Sequence, residues 1–466
     1  MVGQPSAPVP EPDPATVAAA RTVADLALLL RILRRREARQ RAGAELTYRQ
    51  LAARAGWSHA VVAGYLTGRT LPPVDRFDRL IQILGATAAE QRALATARDR
   101  VEEVRRALTE PCELDRRLPV PRQVPADVPH FTGRERELVA LDELVDTAER
   151  CSTAIVAVIT GTAGVGKTAL AVHWAHRVSH RFDHGQLYAD LRGFAPEAPA
   201  SSERVLDAYL GALELPPTQL PEGLDAKAAL FRTLVDGRRL LVLLDNAADP
   251  EQVRPLLPAT AGSVVVVTSR DTLTGLVARD RAHRMHLDVL PVDDAVRLLA
   301  GFVGEAGVAD RTAAGQVAAL CSFLPVALCA AGERATRPGP GLTGVADELA
   351  RAGTSLDLLA AGGDGRAAVR SVFSWSYRRL PVDAARIFRL LGWWNVDDVG
   401  SDEVAAIAGV QGAEAARLID ALVSANLLRP EEPDRYRLLG LLREYAGELA
   451  ERHDVTAAHD VVLPSP

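Results

Sequence analysis

The chain has 466 residues, of which 48% are hydrophobic, and its mean hydropathy is +0.03. These values exclude a mostly disordered chain and suggest about three domains. No uncharged apolar run approaches the roughly 18 residues of a membrane span. The proline-rich, acidic start has no basic end followed by an apolar stretch, so no secretory leader is expected and the chain reads as cytoplasmic.

Lysine and arginine total 54, yet only Lys167 and Lys227 are lysines, so arginine richness alone says little about nucleic acid. Its placement says more. From Thr22 to Glu110 there are 16 arginines against 10 acidic residues, a net of +6, which leaves −12 on the remainder of a chain whose total is −6. A basic front on an acidic body predicts a separate N-terminal module suited to a polyanion. The four cysteines, Cys112, Cys151, Cys321 and Cys329, have no C-x-x-C spacing and read as free thiols of a reducing compartment.

The first module reads as all-helical. Leu26, Leu29, Leu30 and Leu33 fall at helical spacing. Thr47 and Gln50 form a capping box that opens a short helix carrying Leu51, Ala52 and Ala55. Gly56 ends that helix, Ser58 caps the next, and Val61, Val62, Tyr65 and Leu66 supply the buried face of the second helix up to Gly68. Two short helices joined by a glycine-containing turn are helix-turn-helix geometry. The segment from Leu46 to Gly85 resembles the repressor-type helix-turn-helix family, which implies that Ser58, His59 and Ala60 begin a recognition helix aimed at base edges. The family usually places a small polar residue and then Arg or Lys in mid-helix, whereas Ala63 and Gly64 stand here. DNA binding and protein docking on the same scaffold are therefore both carried forward.

Between Ala107 and His130 lie Pro111, Pro119, Pro121, Pro125 and Pro129, a semi-rigid linker by composition. The apolar run Ile155–Thr160 then leads into Gly161, Thr162, Ala163, Gly164, Val165, Gly166, Lys167, Thr168 and Ala169, a strand, glycine-rich loop and helix with G-x-x-x-x-G-K-T spacing. Loop N–H groups form an anion nest at a helix N-terminus, Lys167 reaches the β/γ-phosphates, and the Thr168 hydroxyl ligates Mg²⁺. Leu240–Leu244 is a strand apolar on both faces, and Asp245 at its end is placed to hold Mg²⁺. Asn246 follows where many P-loop ATPases carry a carboxylate, so at most slow ATP hydrolysis is expected. A third strand, Val264–Val267, ends in Thr268, Ser269 and Arg270, the last placed to sense a γ-phosphate. The pairs His283/His286 and His173/His176 have the i, i+3 spacing of helical metal ligands, but neither has a carboxylate-and-His partner motif. No general base for a P-loop kinase stands out.

In order, His130–Glu135, the phosphate loop, Leu244–Asn246, Thr268–Arg270 and Phe323–Leu328 resemble the NB-ARC-type STAND nucleotide switches, close to the antibiotic-regulatory and SARP-associated regulators of actinomycetes. The resemblance runs from about Pro129 to Arg452. It implies that Phe131, Gly133 and Arg134 border adenine and ribose, that Pro325 packs on adenine, and that a winged-helix subdomain closes over ADP. It also implies opening and self-association in the ATP state, with ATP/ADP and Mg²⁺ as cofactors. The Met-His-Asp motif of that closure is Leu438, Leu439 and Gly440 here. Either the closed state is weakened, or Arg437 or Arg443 supplies the lost contact. The family's long sensor repeats have no counterpart before Pro466, so the expectation is either a signal from a separate sensor protein or a response to nucleotide and self-association alone.

The resulting organisation is a multidomain chain. A disordered tail (1–21) precedes an all-α helix-turn-helix domain (22–106) and the proline-rich linker (107–129). An α/β P-loop NTPase domain with a parallel sheet (130–285) follows, then a helical subdomain (286–366), a winged-helix subdomain (367–452) and a tail (453–466). The expected function is an ATP/ADP-operated, DNA-binding transcriptional regulator; the alternative is a signalling scaffold whose N-terminal helices bind a protein.

Overall fold

The computed structural model describes residues 14–20, 22–41, 43–109, 120–307, 310–338, 341–352, 355–360, 368–394 and 398–453. Pro111, Cys112, Pro119 and the tail after 453 lie outside them. The chain divides into two compact units, Met1–Leu118 and Pro119–Pro466.

The first unit is helical: α1 (Pro14–Ala19), α2 (Val23–Gln40), α3 (Tyr48–Ala55), α4 (His59–Thr67), α5 (Val74–Ile83) and α6 (Ala88–Thr109). Its boundaries follow from local chemistry. The Gln50 backbone N–H donates to Thr47 Oγ1 at 3.2 Å while the Thr47 N–H donates to Gln50 Oε1 at 2.9 Å. Two orphan donors at the start of α3 are thereby satisfied. Gly56 leaves α3 at φ 74°, and the Ser58 hydroxyl accepts from Val61 N–H at the start of α4. Leu30, Leu33, Leu51, Val62, Leu66, Phe77 and Leu80 form the core. The segment expected as a disordered tail differs: α1 lies within it, and Val17 and Ala20 are buried in that core. A short apolar patch is enough to dock one and a half turns of helix.

The second unit is built on a five-stranded parallel sheet in the order β2-β3-β4-β1-β5, from β1 (Ile155–Thr160), β2 (Gln186–Asp190), β3 (Leu241–Ala247), β4 (Val264–Ser269) and β5 (His283–His286). The central strands β1, β3 and β4 are almost wholly buried, as parallel strands covered on both faces must be. On the face of the sheet and around it lie α7 (Glu135–Ala148), α8 (Lys167–Val178), α9 (Ser202–Ala212), α10 (Leu224–Leu234), α11 (Pro250–Val253) and α12 (Thr274–Asp280). The proline-rich stretch is not all linker. Arg122 pairs with Gln186 beside β2, and Gln186 N–H donates to Pro121 O at 2.7 Å.

A helical region follows: α13 (Val292–Gly307), α14 (Arg311–Leu320), α15 (Pro325–Ala335), α16 (Gly341–Arg351) and α17 (Ser355–Leu358). The last part comprises α18 (Val369–Tyr377), α19 (Val382–Trp393), β6 (Asp398–Gly400), α20 (Ser401–Ala408), α21 (Gly412–Ser424), β7 (Arg429–Glu432), β8 (Arg435–Arg437) and α22 (Gly440–His453). Its antiparallel sheet, ordered β6-β8-β7, supplies the wing. One apolar cluster runs without a break from Leu141 and Trp174 through Val317 and Leu328 to Phe388 and Tyr445.

The pairing of α19 with α22 depends on glycine. A Cβ on Gly392 would lie 2.3 Å from Gly447 N and 2.4 Å from Ala446 C, whereas one on Gly412 would meet nothing within 4 Å. Gly392→Ala should therefore lower stability by about 1–3 kcal/mol through overpacking, and Gly412→Ala should not. Urea titration followed by near-ultraviolet circular dichroism checks the pair.

Candidate nucleotide-binding site

The carboxyl ends of β1, β3 and β4 converge on one cavity of about 380 Å³, the position where open α/β sheets bind ligands. The loop between β1 and α8 forms its lip. A Cβ on Gly164, whose φ is 82°, would lie 2.3 Å from Val326 Cγ1, so only glycine fits between the loop and α15. Ala163 and Val165 point the other way, into the core. Thr162 donates its hydroxyl to Asn426 O at 3.0 Å, away from the cavity.

Lys167 is buried and donates from Nζ to the loop carbonyls of Gly161 and Thr162 at 2.7 and 2.9 Å. Burial lowers its pKa to about 7; nearby Arg270 adds to this and Asp245 opposes it. Asp245 is buried at the end of β3, where its Oδ1 accepts from Thr168 Oγ1 at 2.7 Å and Thr268 Oγ1 at 2.5 Å. Burial raises its pKa, and the two hydroxyls hold it down. A carboxylate and a hydroxyl brought together at the lip of a phosphate-sized cavity are the hard oxygen donors that Mg²⁺ takes. The donor set fits that ion.

Arg270 bounds the same cavity from β4 but reaches across to α18, donating to Val372 O at 2.5 Å and Ser376 Oγ at 3.3 Å. Its guanidinium lies 5.7 Å from the Phe194 ring centre and 5.4 Å from that of Trp375. Burial lowers its pKa to about 10, against the pull of Asp245.

A second cavity of about 440 Å³ adjoins the first, sharing Gly166, Ala169, Pro325 and Cys329 in its wall. It is mostly apolar, with Phe131, Leu290, Leu298 and Phe302. Phe131 stacks on His173 at 4.3 Å and 11°. The Arg134 guanidinium is buried and donates to Val165 O at 3.2 Å and Asp288 O at 2.6 Å, bracing the phosphate loop against the segment that leaves β5. Gly133 lies behind, where a Cβ would come 2.5 Å from Asp294 Oδ2. It lines a separate outer cleft with Thr132 and Arg297 and neither inner cavity.

Other expected residues fall elsewhere. His283 and His286 are on strand β5, where residues three apart face opposite sides, so they are not a helical pair. His176 bonds Pro125 O at 2.7 Å, and His173 meets Asp127 Oδ1 at 3.1 Å. No group of three potential metal-ligating side chains occurs among the described residues. Leu438, Leu439 and Gly440 line neither inner cavity; Gly440 opens α22, where Leu441 N–H donates to Ser322 Oγ at 3.1 Å. Arg437 is exposed and paired with Glu431 in the wing at 2.9 Å, and Arg443 is in neither cavity wall. Ser58, His59 and Ala60 are exposed at the start of α4 in the first unit, with His59 tilted on Tyr48 at 6.1 Å. Sequence reading missed Asp190, Val372, Trp375 and Cys329 in the cavity walls and Asn426, whose Nδ2 donates to Arg270 O at 2.8 Å.

Residues 25–94 match the helix-turn-helix domain model and residues 137–309 the NB-ARC domain model. The chain thus carries an NB-ARC domain, with a helix-turn-helix domain ahead of it. It is similar to the regulatory protein AfsR of Streptomyces griseus, with 41% identity over 355 residues, 76% of this chain and 36% of that protein. It matches AfsR of Streptomyces coelicolor at 41% over 338 residues, 71% of this chain and 33% of that one. The chain thus spans about a third of the length of these relatives. The solved ORC2 protein of Aeropyrum pernix aligns over 71% of this chain and 97% of its own with a TM-score of 0.39 and 17% identity, too loosely to bear on function. Among the described residues no helix is long and apolar enough to cross a membrane.

Burial destabilises the Lys167 ammonium in the fold, so between pH 7 and about 10.5 the unfolded chain holds a proton that the folded chain does not. Stability without nucleotide should therefore gain from this group as pH rises through that window. Urea midpoints at pH 7 and 9 should show the gain in wild type, and Lys167→Met should lack that increment.

Proposed function

We propose that this chain is an ATP/ADP-operated switch that governs a DNA-binding module, and so acts as a transcriptional regulator. The observation that carries the reading is Arg270: it bounds the phosphate cavity beside Lys167 and Asp245, yet spends its hydrogen bonds on α18. A γ-phosphate would compete for that guanidinium, and Arg270 can satisfy the phosphate only by loosening its hold on α18. ADP offers no such competitor, so the arrangement with α18 bound is the ADP-like state.

In this reading the loop from Gly161 to Ala169 cradles the phosphates, Lys167 neutralises them, and Thr168 and Asp245 hold Mg²⁺. The ion would shield charge on the β- and γ-oxygens. Phe131, Gly133, Arg134 and Pro325 belong to the base and ribose end, Gly133 through the shape of the loop rather than by lining the cavity. The tie between the phosphate loop and the winged-helix part through Thr162, Asn426 and Arg270 does the work that the Met-His-Asp motif does in the family. Release of α18 would expose a surface for self-association, and signals from a separate sensor protein would act on that step. The similarity to regulatory proteins, the helix-turn-helix match and the +6 charge of the first module support DNA as the partner, with Ser58, His59 and Ala60 facing base edges. Tethered copies brought together gain avidity.

One observation favours a protein partner instead: the surface of α4 offers Ala60, Ala63 and Gly64, none of which hydrogen-bonds a base through its side chain.

Lys167→Ala should abolish nucleotide-dependent assembly in analytical ultracentrifugation; assembly on ATP equal to wild type would refute the switch. Arg270→Ala should remove most of the difference between ATP and ADP in promoting assembly while both nucleotides still bind by isothermal calorimetry. Binding to duplex DNA should fall steeply with added salt, as phosphate contacts require. A salt-insensitive interaction with a protein, and none with DNA, would select the scaffold reading.

A further inference from the structure

Arg270 carries its charge into the protein with a carbonyl and a hydroxyl as its polar side-chain partners, those of Val372 and Ser376. Hydrogen bonds leave a guanidinium from its edge, whereas its flat faces are weakly hydrated and suit aromatic rings. Two rings stand there. The centre of Phe194 lies 5.7 Å from the guanidinium carbon and that of Trp375 5.4 Å, both within the roughly 6 Å over which a cation is drawn to a ring.

The two rings come from different parts of the molecule. Phe194 is buried in the segment after β2, and its mount is stiff. Gly193 N–H donates to Asn246 O at 2.7 Å, and a Cβ on Gly193 would lie 2.4 Å from Ala248 N. Trp375 belongs to α18 and is half-buried in the wall of the phosphate cavity. The cage around Arg270 is therefore whole only while α18 is docked. Were α18 to withdraw, Phe194 would stay with the sheet and Trp375 would leave with the helix.

The two inner cavities decide which end of a nucleotide meets this cage. They join at Gly166, Ala169, Pro325 and Cys329. A base in the apolar cavity sends its phosphates past Lys167 and Thr168 toward Arg270, Val372 and Trp375. The outermost phosphate is the one that faces the caged arginine.

We propose that Phe194 and Trp375 are the positioning residues that hold Arg270 against α18, and that they thereby set the preference of this site for ADP over ATP. The proposal rests on the reading of the cavity as an ATP/ADP site. A third phosphate can draw the guanidinium toward itself only by taking it off the Trp375 ring and away from its two acceptors. Each aromatic face therefore lowers the apparent affinity for ATP, because it enlarges the share of molecules held in the caged form. ADP asks for no such movement and binds that form as it stands.

The test measures the affinities of ADP and of a non-hydrolysable ATP analogue, each with Mg²⁺, for the full chain by isothermal calorimetry. Trp375→Leu keeps an apolar side chain but has no aromatic face, and Trp375→Phe restores one. Phe194→Leu is the independent check at the other ring. Each leucine variant should bind the analogue on the order of 10-fold more tightly, the size of one partly desolvated cation–π contact, with ADP affinity unchanged. Trp375→Phe should keep the wild-type ratio of the two affinities. In an Arg270→Ala background the leucine substitutions should leave the ratio where Arg270→Ala alone puts it, since a double-mutant cycle isolates the coupling to Arg270. A space-filling role alone would instead shift the ratio whether or not Arg270 is present. The proposal is overturned by a wild-type ratio in both leucine variants, by Trp375→Phe matching Trp375→Leu, by equal loss of both affinities, or by a shift that survives without Arg270. A wild type that binds neither nucleotide, or Lys167→Ala that binds both as wild type does, defeats the ATP-site reading beneath it instead.

Discussion

A guanidinium withdrawn from water needs partners close at hand, because its desolvation is offset only by good geometry. Arg270 finds a carbonyl, a hydroxyl and the face of Trp375 on α18, and the face of Phe194 in the segment after β2. The arrangement around the cavity depends on this choice. The cation stands near Lys167 and weakens its hold on a proton, while Asp245 draws both. Arg379 reinforces the junction from the turn after α18, lying over Phe194 at 4.8 Å and donating to Gly193 O. Phe194 is therefore held between two arginines, one from the sheet and one from the winged-helix part.

Much of this was legible in the sequence, for reasons that can be named. The strands β1, β3 and β4 are buried on both faces, so their composition alone distinguishes them. The phosphate loop is legible because phosphate chemistry dictates its spacing. The edge strands are not: His283, Arg284, Met285 and His286 form β5 with mostly exposed side chains, and such a run shows neither an apolar stretch nor a clean alternation. The same obscurity made the two histidines look like a helical pair. Asp190, Trp375 and Asn426 were hidden for another reason. Each reaches the cavity region from an element far away in the chain, and no local pattern records what a fold brings together.

The helix-turn-helix unit shows the complementary case. Its capping residues, Thr47, Gln50, Gly56 and Ser58, act within a few positions of one another, so the sequence specifies the helix ends almost directly. What α4 recognises depends on its outward surface, and there the residues are small. Gly64 has its own packing reason, since a Cβ would press on Thr70 Oγ1 at 3.3 Å. The mid-helix departure from the family pattern thus reflects how closely the chain returns after α4.

The unbroken apolar cluster that passes through the sheet, the helical region and the winged-helix part has a thermodynamic consequence. Any motion that parts these regions must hydrate nonpolar surface, which raises the heat capacity of the opened form. The balance between the two forms then curves with temperature, and the crossing between them resembles local unfolding more than the bending of a hinge. A protein built this way feels cold and heat through the same contacts that hold its regions together.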